Sequence, residues 1–172
     1  MRTGILICGL NGAGKSTLGK ALAEKLHFRF IDIEDLYFPK TDPDYPYASP
    51  RTREEVEKLL FIEIKENENF VFTSVKGDYG EADHPFFKYI VLIEVPREIR
   101  LQRVKNRSFQ KFGNRILPGG DLYEQEKRFF DFVKDRAENT AEEWVKRINC
   151  PVIRIDGRKS IEENADYIMK LI

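Results

Sequence analysis

Eight residues near the start of the chain, Gly9-Leu10-Asn11-Gly12-Ala13-Gly14-Lys15-Ser16, combine three glycines, a lysine and a hydroxyl. Their spacing is G-x-x-x-x-G-K-[ST], and it suits one task, holding a polyphosphate. A backbone wrapped around phosphate must turn several N–H groups inward, which needs glycines at dihedrals other residues avoid. A helix beginning at Lys15 would present its positive end to the same anion. Lys15 adds a point charge for the β and γ phosphates, and Ser16 a hydroxyl for Mg²⁺. Gly9, Asn11, Gly12, Ala13, Gly14, Lys15, Ser16 and Thr17 are therefore the candidate nucleotide-binding residues. No Asn-Lys-x-Asp guanine reader is visible, so ATP with Mg²⁺ is the expected ligand.

A second group of polar residues follows the next apolar run, Phe30-Ile31-Asp32-Ile33-Glu34-Asp35. Alternation along an extended chain puts Asp32 and Glu34 on one side. A carboxylate there could complete a Mg²⁺ shell or take a proton from an attacking hydroxyl. Asp35 could instead cap a short turn at Leu36. Arg103 and Arg107 stand four residues apart and share a helix face. They lead into a Gly-rich basic stretch with Lys111, Gly113, Arg115, Gly119 and Gly120. Phosphoryl transfer needs cations over the moving group and water kept out, and a mobile basic flap would supply both.

These residues need a scaffold. Short apolar runs at 4–8, 28–33, 70–75, 89–95 and 151–156 alternate with helical patterns at 15–26, 52–66, 97–107 and 122–148. A last helix follows the capping box Ser160 and Glu163. Continuous apolar strands alternating with helices predict an α/β protein, a parallel sheet with helices on both faces. Right-handed crossovers then bring every strand's C-terminal end to one edge, where ligands bind. Residues 36–50 hold four prolines with Tyr37, Phe38, Tyr45 and Tyr47, and read as an irregular loop. Those rings could stack on an aromatic ligand or pin the loop to the body. The segment 108–120 reads as mobile, and 122–148 as one long helix.

The phosphate loop, the Asp32-Ile33-Glu34 segment 17 residues beyond Lys15 and the order of elements together resemble the nucleoside-monophosphate-kinase and shikimate-kinase group of small P-loop kinases. The resemblance implies a three-layer α/β/α P-loop NTPase sandwich with a five-stranded parallel sheet in the order 2-3-1-4-5. It implies one domain over residues 1–172, an acceptor-binding region at 36–66 and a lid at 108–121. By match, Asp32 serves the Mg²⁺ site with Ser16, and Glu34 meets the acceptor in place of the family's aspartate. Arg51, in Pro50-Arg51-Thr52-Arg53-Glu54-Glu55, matches an arginine that binds an anionic group of the acceptor. Arg103 matches the arginine that packs on adenine and Arg107 the one that reaches the phosphates. Gly157 matches the turn that backs the adenine. Arg115, then Arg128 and Arg136, are candidates for a second lid arginine. The family's triple glycine and Asp-Gly-x-Pro-Arg runs are replaced by Val75-Lys76-Gly77-Asp78. The acceptor floor is thus this chain's own, with Thr73, Ser74, Lys76 and Asp78 as candidates to line it. Lys15, Asp32, Glu34 and Arg107 are the expected catalytic set.

The whole chain narrows the rest. Its 172 residues suit one domain with a sizeable core. Lys plus Arg number 29 and Asp plus Glu 29, so global charge gives no case for long nucleic acid or an anionic membrane. Cys8 sits in an apolar run, Cys150 precedes Pro151, and the pair makes neither a metal pattern nor a disulfide framework. The run 4–8 is too short to span a membrane and leads straight into the phosphate loop. A cytoplasmic monomer or homodimer acting on a small molecule is expected. His27 and His84 carry no signal. The rival reading is a nucleotide-dependent switch that hydrolyses ATP without an acceptor. It is weakened because strand three ends Thr73-Ser74-Val75 rather than Asp-Glu.

Overall fold

Strands apolar on both faces must be covered on both sides. The computed structural model of the protein, which describes residues 2–80 and 85–172, has that form. Among the described residues five strands pair in parallel in the order β2-β3-β1-β4-β5. They are β1 (Thr3–Cys8), β2 (Arg29–Asp32), β3 (Asn69–Ser74), β4 (Phe87–Glu94) and β5 (Val152–Asp156). The helices are α1 (Lys15–Leu26), α2 (Ile33–Tyr37), α3 (Arg53–Glu66), α4 (Arg97–Phe112), α5 (Tyr123–Asp135), α6 (Thr140–Val145) and α7 (Ile161–Met169).

The period of two divides the core. Ile5, Ile7, Val71, Val91 and Ile93 face α1 and α7, burying Leu18, Leu22, Ala165 and Ile168. Leu6, Cys8, Phe70, Phe72 and Leu92 face the other way, against Leu60 and Ile64 of α3 and Trp144 of α6. Pairings run Cys8 to Ser74, Asp32 to Thr73 and Glu94 to Asp156, so the strand ends share one edge. Burial pushes the Cys8 thiol up to about 12, which leaves it inert at neutral pH.

Several expectations change. Strand β2 stops at Asp32, whose side chain accepts a hydrogen bond from the Glu34 N–H at 3.0 Å and caps α2. The capping role expected of Asp35 thus belongs to Asp32, and Glu34 lies on a helix rather than on the extended chain with Asp32. Residues 36–50 are consequently irregular only beyond Tyr37. Helix α4 does not end at 107, because Ser108 and Phe112 continue the buried row begun by Arg100 and Val104. It stops at Gly113, with φ of 58°, and passes into a 3-10 turn, Gly113–Ile116, so much of 108–121 is helical rather than loose. The expected long helix breaks into α5 and α6 because Arg136 is extended, and the turn after it carries Glu138 onto Arg100. His84 lies outside the described residues, while His27 takes the left-handed cap of α1, with φ of 58°. Among the described residues no helix is long and apolar enough to cross a membrane.

Candidate active site

The phosphate loop joins β1 to α1 at the common strand edge. Gly14 caps α1 with φ of 98°, a left-handed value that favours glycine. Gly12 has φ of 81°, and a Cβ there would stand 2.4 Å from the Arg100 carbonyl oxygen, so α4 packs directly on the loop. Lys15 Nζ donates to the Leu10 carbonyl at 3.1 Å, within the loop. Burial pushes the Lys15 ammonium down to about 8, Asp32 opposes that shift, and Arg107 and Arg136 add to it by repulsion. Arg107 and Arg136 thus repel Lys15 at the loop with Asp32 as the opposing carboxylate, a set that a polyphosphate would neutralise.

Arg100 fixes this loop from below. Its side chain is 3% exposed, and Nη2 reaches both carboxylate oxygens of Glu138 at 2.7 Å. Its Nε donates to the Val95 carbonyl at 3.1 Å and Nη1 to the Asn11 carbonyl at 3.2 Å. Replacing Arg100 by Met is expected to lower stability by about 3 kcal/mol, because two carbonyls lose their donor and Glu138 its partner. Urea unfolding of the free protein measures this, and an unchanged midpoint would refute the bracing role.

Arg103 donates to the carbonyls of Gly12 at 3.4 Å and Gly157 at 3.0 Å, bridging the loop to the β5–α7 turn. A cleft of about 300 Å³ opens there, lined by Ala13, Gly14, Thr17, Arg103, Gly157 and Ser160. Arg103 and Gly157 thus meet on the wall of this cleft, beside the phosphate loop.

On the other side a cavity of about 240 Å³ is lined by Glu34, Arg107 and Lys111, by the rings of Phe38, Tyr45 and Tyr47, and by Glu126. The Arg107 guanidinium makes no hydrogen bond or ion pair among the described residues. Lys111 Nζ donates to the Tyr47 hydroxyl at 2.6 Å and lies 4.3 Å from that ring's centre. Burial lowers the Lys111 ammonium and pushes the Tyr47 phenol up to about 12. Tyr45 and Tyr47 pack with Phe112, Ile116 and Leu122 in a small core, so the rings both pin the loop and wall the cavity.

The remaining candidates are held elsewhere. Arg51 donates to the Leu36 carbonyl at 2.8 Å, fastening α2 to the start of α3. Lys76 pairs with Asp78 at 2.9 Å, and Arg53 approaches the same carboxylate at 3.5 Å. Arg115 is gripped by Asp121 at 2.7 Å and donates to the Asp44 carbonyl at 3.0 Å, so it ties the lid to the aromatic loop. Arg136 makes no hydrogen bond or ion pair among the described residues, and burial lowers its pKa. It stands close enough to Lys15 to repel it, a position that Arg115 does not share.

Sequence reasoning missed Arg100, Phe129 and Glu126 as site residues. Glu126 had a signal: it falls four residues after Leu122 and four before Phe130, a carboxylate on an apolar stripe.

The residues present fit Mg²⁺ and ATP. Ser16 is exposed on the first turn of α1, and Asp32 is near Lys15. Asn11 Oδ1 and Thr73 Oγ1, at the loop and at the strand end beside Asp32, are buried without a hydrogen-bond partner. Among the described residues no cluster of three His, Cys, Asp or Glu side chains gathers to hold a metal. That suits Mg²⁺, which usually takes one or two protein ligands and completes its shell with phosphate and water.

Comparison with known proteins bears on the family and the fold. The model of a family described as AAA domain matches residues 5–117. The uncharacterized protein YqaC of Bacillus subtilis (strain 168) is 30% identical, over 98% of this chain and 97% of its own. A shikimate kinase of Bacteroides fragilis is 27% identical, over 98% of this chain and 95% of its own. The crystal structure of shikimate kinase from Bacteroides thetaiotaomicron superposes with a TM-score of 0.63 at 19% identity, over 99% and 98% of the two chains, and shares the fold.

Proposed function

Since the chain belongs to the AAA domain family, we propose that it is an ATP-dependent kinase of the small P-loop, shikimate-kinase-like group, passing the γ-phosphoryl of Mg-ATP to a small-molecule acceptor. One observation carries the reading. Arg107 lines the cavity and also stands close enough to Lys15 to depress its charge, so one uncommitted guanidinium serves both phosphate loop and cavity. A cation at that junction meets the phosphoryl group midway between donor and acceptor.

The loop 9–16 and Lys15 would hold the β and γ phosphates, with Arg103 and Gly157 beside the base. Ser16 and Asp32 would hold Mg²⁺, which supplies charge neutralisation when bound. Glu34 would accept the proton of the acceptor hydroxyl as its oxygen bonds to the γ phosphorus and ADP leaves. Arg107, with Arg136, would balance the charge spreading over the equatorial oxygens. Arg51, Lys76, Asp78 and Arg115 would act by shaping the acceptor region, since each is already engaged within the protein. A ring-walled cavity beside the loop favours transfer over plain hydrolysis.

Phosphorus NMR with Mg-ATP and a pool of nucleosides, nucleoside monophosphates, shikimate, gluconate and other small alcohols tests this, with Lys15→Ala as control. A new phosphoester or phosphoanhydride resonance, absent from the control, is expected. Release of inorganic phosphate alone across the pool would count for the hydrolytic switch instead.

A further inference from the structure

The acceptor cavity contains one group that the proposed transfer does not use. Glu126, on α5, is 2% exposed. Its Oε1 accepts a hydrogen bond from the Tyr45 hydroxyl at 2.9 Å, while its Oε2 is buried with no hydrogen-bond partner. Leaving such an oxygen unpaired is costly, and the cost is tolerated mainly where a ligand donor meets it. The surroundings restrict that donor. Phe38, Tyr45, Tyr47, Phe112 and Phe129 wall the same space. Flat rings favour a planar partner that stacks or packs edge-on, and a polyol would leave those faces unmatched. The unpartnered Oε2 offers lone pairs, so the planar partner must bring an N–H or O–H to its edge. Glu34 and Arg107 line the same cavity, and Arg107 also acts on Lys15 of the phosphate loop, so the reacting group belongs on their side.

Resting on the kinase reading, we infer that the acceptor is a nucleoside unit with an amino-bearing base. The base lies among the rings with its exocyclic N–H on Glu126 Oε2, and the sugar end points to Glu34 and Arg107. Glu126 sets base selectivity. The group that receives the phosphoryl, a sugar hydroxyl or a 5′-phosphate, is read by the same test.

The test is calorimetric titration of the full chain with Mg-ADP present. The titrants are cytidine, uridine, adenosine and purine riboside, each nucleoside and its 5′-monophosphate, with shikimate as a non-aromatic control. Cytidine and adenosine forms are expected to bind at least about tenfold tighter than uridine and purine riboside, which lack the amino group. Glu126→Gln, checked for an unchanged melting profile, is expected to lose about tenfold for cytidine and to narrow or invert its advantage over uridine. Phe129→Ala should weaken all nucleosides alike and leave the cytidine-to-uridine ratio intact. The wild-type contrast stands by itself should either variant fail to fold. Equal affinities for cytidine and uridine, tighter binding of shikimate than of any nucleoside, or no nucleoside binding at millimolar concentration would overturn the inference. Transfer to a polyol without nucleoside binding would overturn it and keep the kinase reading. Amino-nucleoside binding without transfer would do the reverse.

Discussion

Replacing Lys15 by Met is expected to stabilise the free protein while removing its activity. The ammonium lies near about 8 in the folded chain, against 10.5 for an ordinary lysine, because burial and two neighbouring arginines disfavour its charge. At neutral pH that difference amounts to at most about 3 kcal/mol of destabilisation, since part of the side chain stays exposed. Removing it should raise the melting temperature by roughly 2–4 °C per kcal/mol recovered. The sign follows from proton binding. Between about 8 and 10.5 the unfolded chain holds the extra proton, so wild-type stability climbs with pH through that window and levels off above it. The Met variant should lack this climb. Scanning calorimetry at pH 7 and 10 measures both, and a variant no more stable than wild type at pH 7 would refute the strained-lysine account. The same variant should lose about 10³-fold or more in phosphoryl transfer, because no cation then follows the γ phosphate. Stability given up at a functional group is a familiar exchange, and here one atom carries it.

The second large effect is expected at Arg107. Its guanidinium has no hydrogen-bond or ion-pair partner among the described residues, lines the cavity and repels Lys15 of the loop. An interaction that strengthens only as charge spreads over the moving phosphoryl lowers kcat and spares ground-state binding. Arg107→Ala should therefore cut kcat by about 10³-fold, and calorimetry should find Mg-ADP affinity within roughly threefold of wild type. Arg107→Lys should fall between, since a point charge replaces a planar fork. A loss expressed wholly in nucleotide affinity would instead make Arg107 a ground-state clamp. Removing this neighbour should also raise the Lys15 pKa, because its repulsion disappears.

The sheet was legible because β1, β3 and β4 carry near-continuous runs of Ile, Val, Leu or Phe and the helices between the strands repeat at three and four residues. The phosphate loop was legible because its glycines, lysine and serine are adjacent in sequence. What failed to show was set by partners far along the chain. Glu138 looks like one more charge on a helix until Arg100, 38 residues away, draws it in and the helix breaks. Asp32 reads as a strand residue, but its carboxylate turns to the Glu34 N–H and starts a helix. Ser108 and Phe112 sit in a polar, basic stretch, and their burial in one row with Arg100 and Val104, with Phe112 against Tyr45 and Tyr47, shows only in the fold. Arg115 and Arg136 looked alike as lid arginines. Asp121 lies six residues from Arg115 and occupies it, and no carboxylate does this for Arg136 among the described residues.

Three ties join the aromatic loop to the last turn of α4 and the segments after it: Tyr45 to Glu126 at 2.9 Å, Lys111 to Tyr47 at 2.6 Å, and Arg115 to the Asp44 carbonyl at 3.0 Å. Stretches more than sixty positions apart in the chain therefore form one unit of inheritance. A relative that altered only one of them would strand Glu126 or Lys111 against a mismatched neighbour. A chimera built to redirect the protein is therefore expected to need residues 36–50 and 108–130 transplanted together.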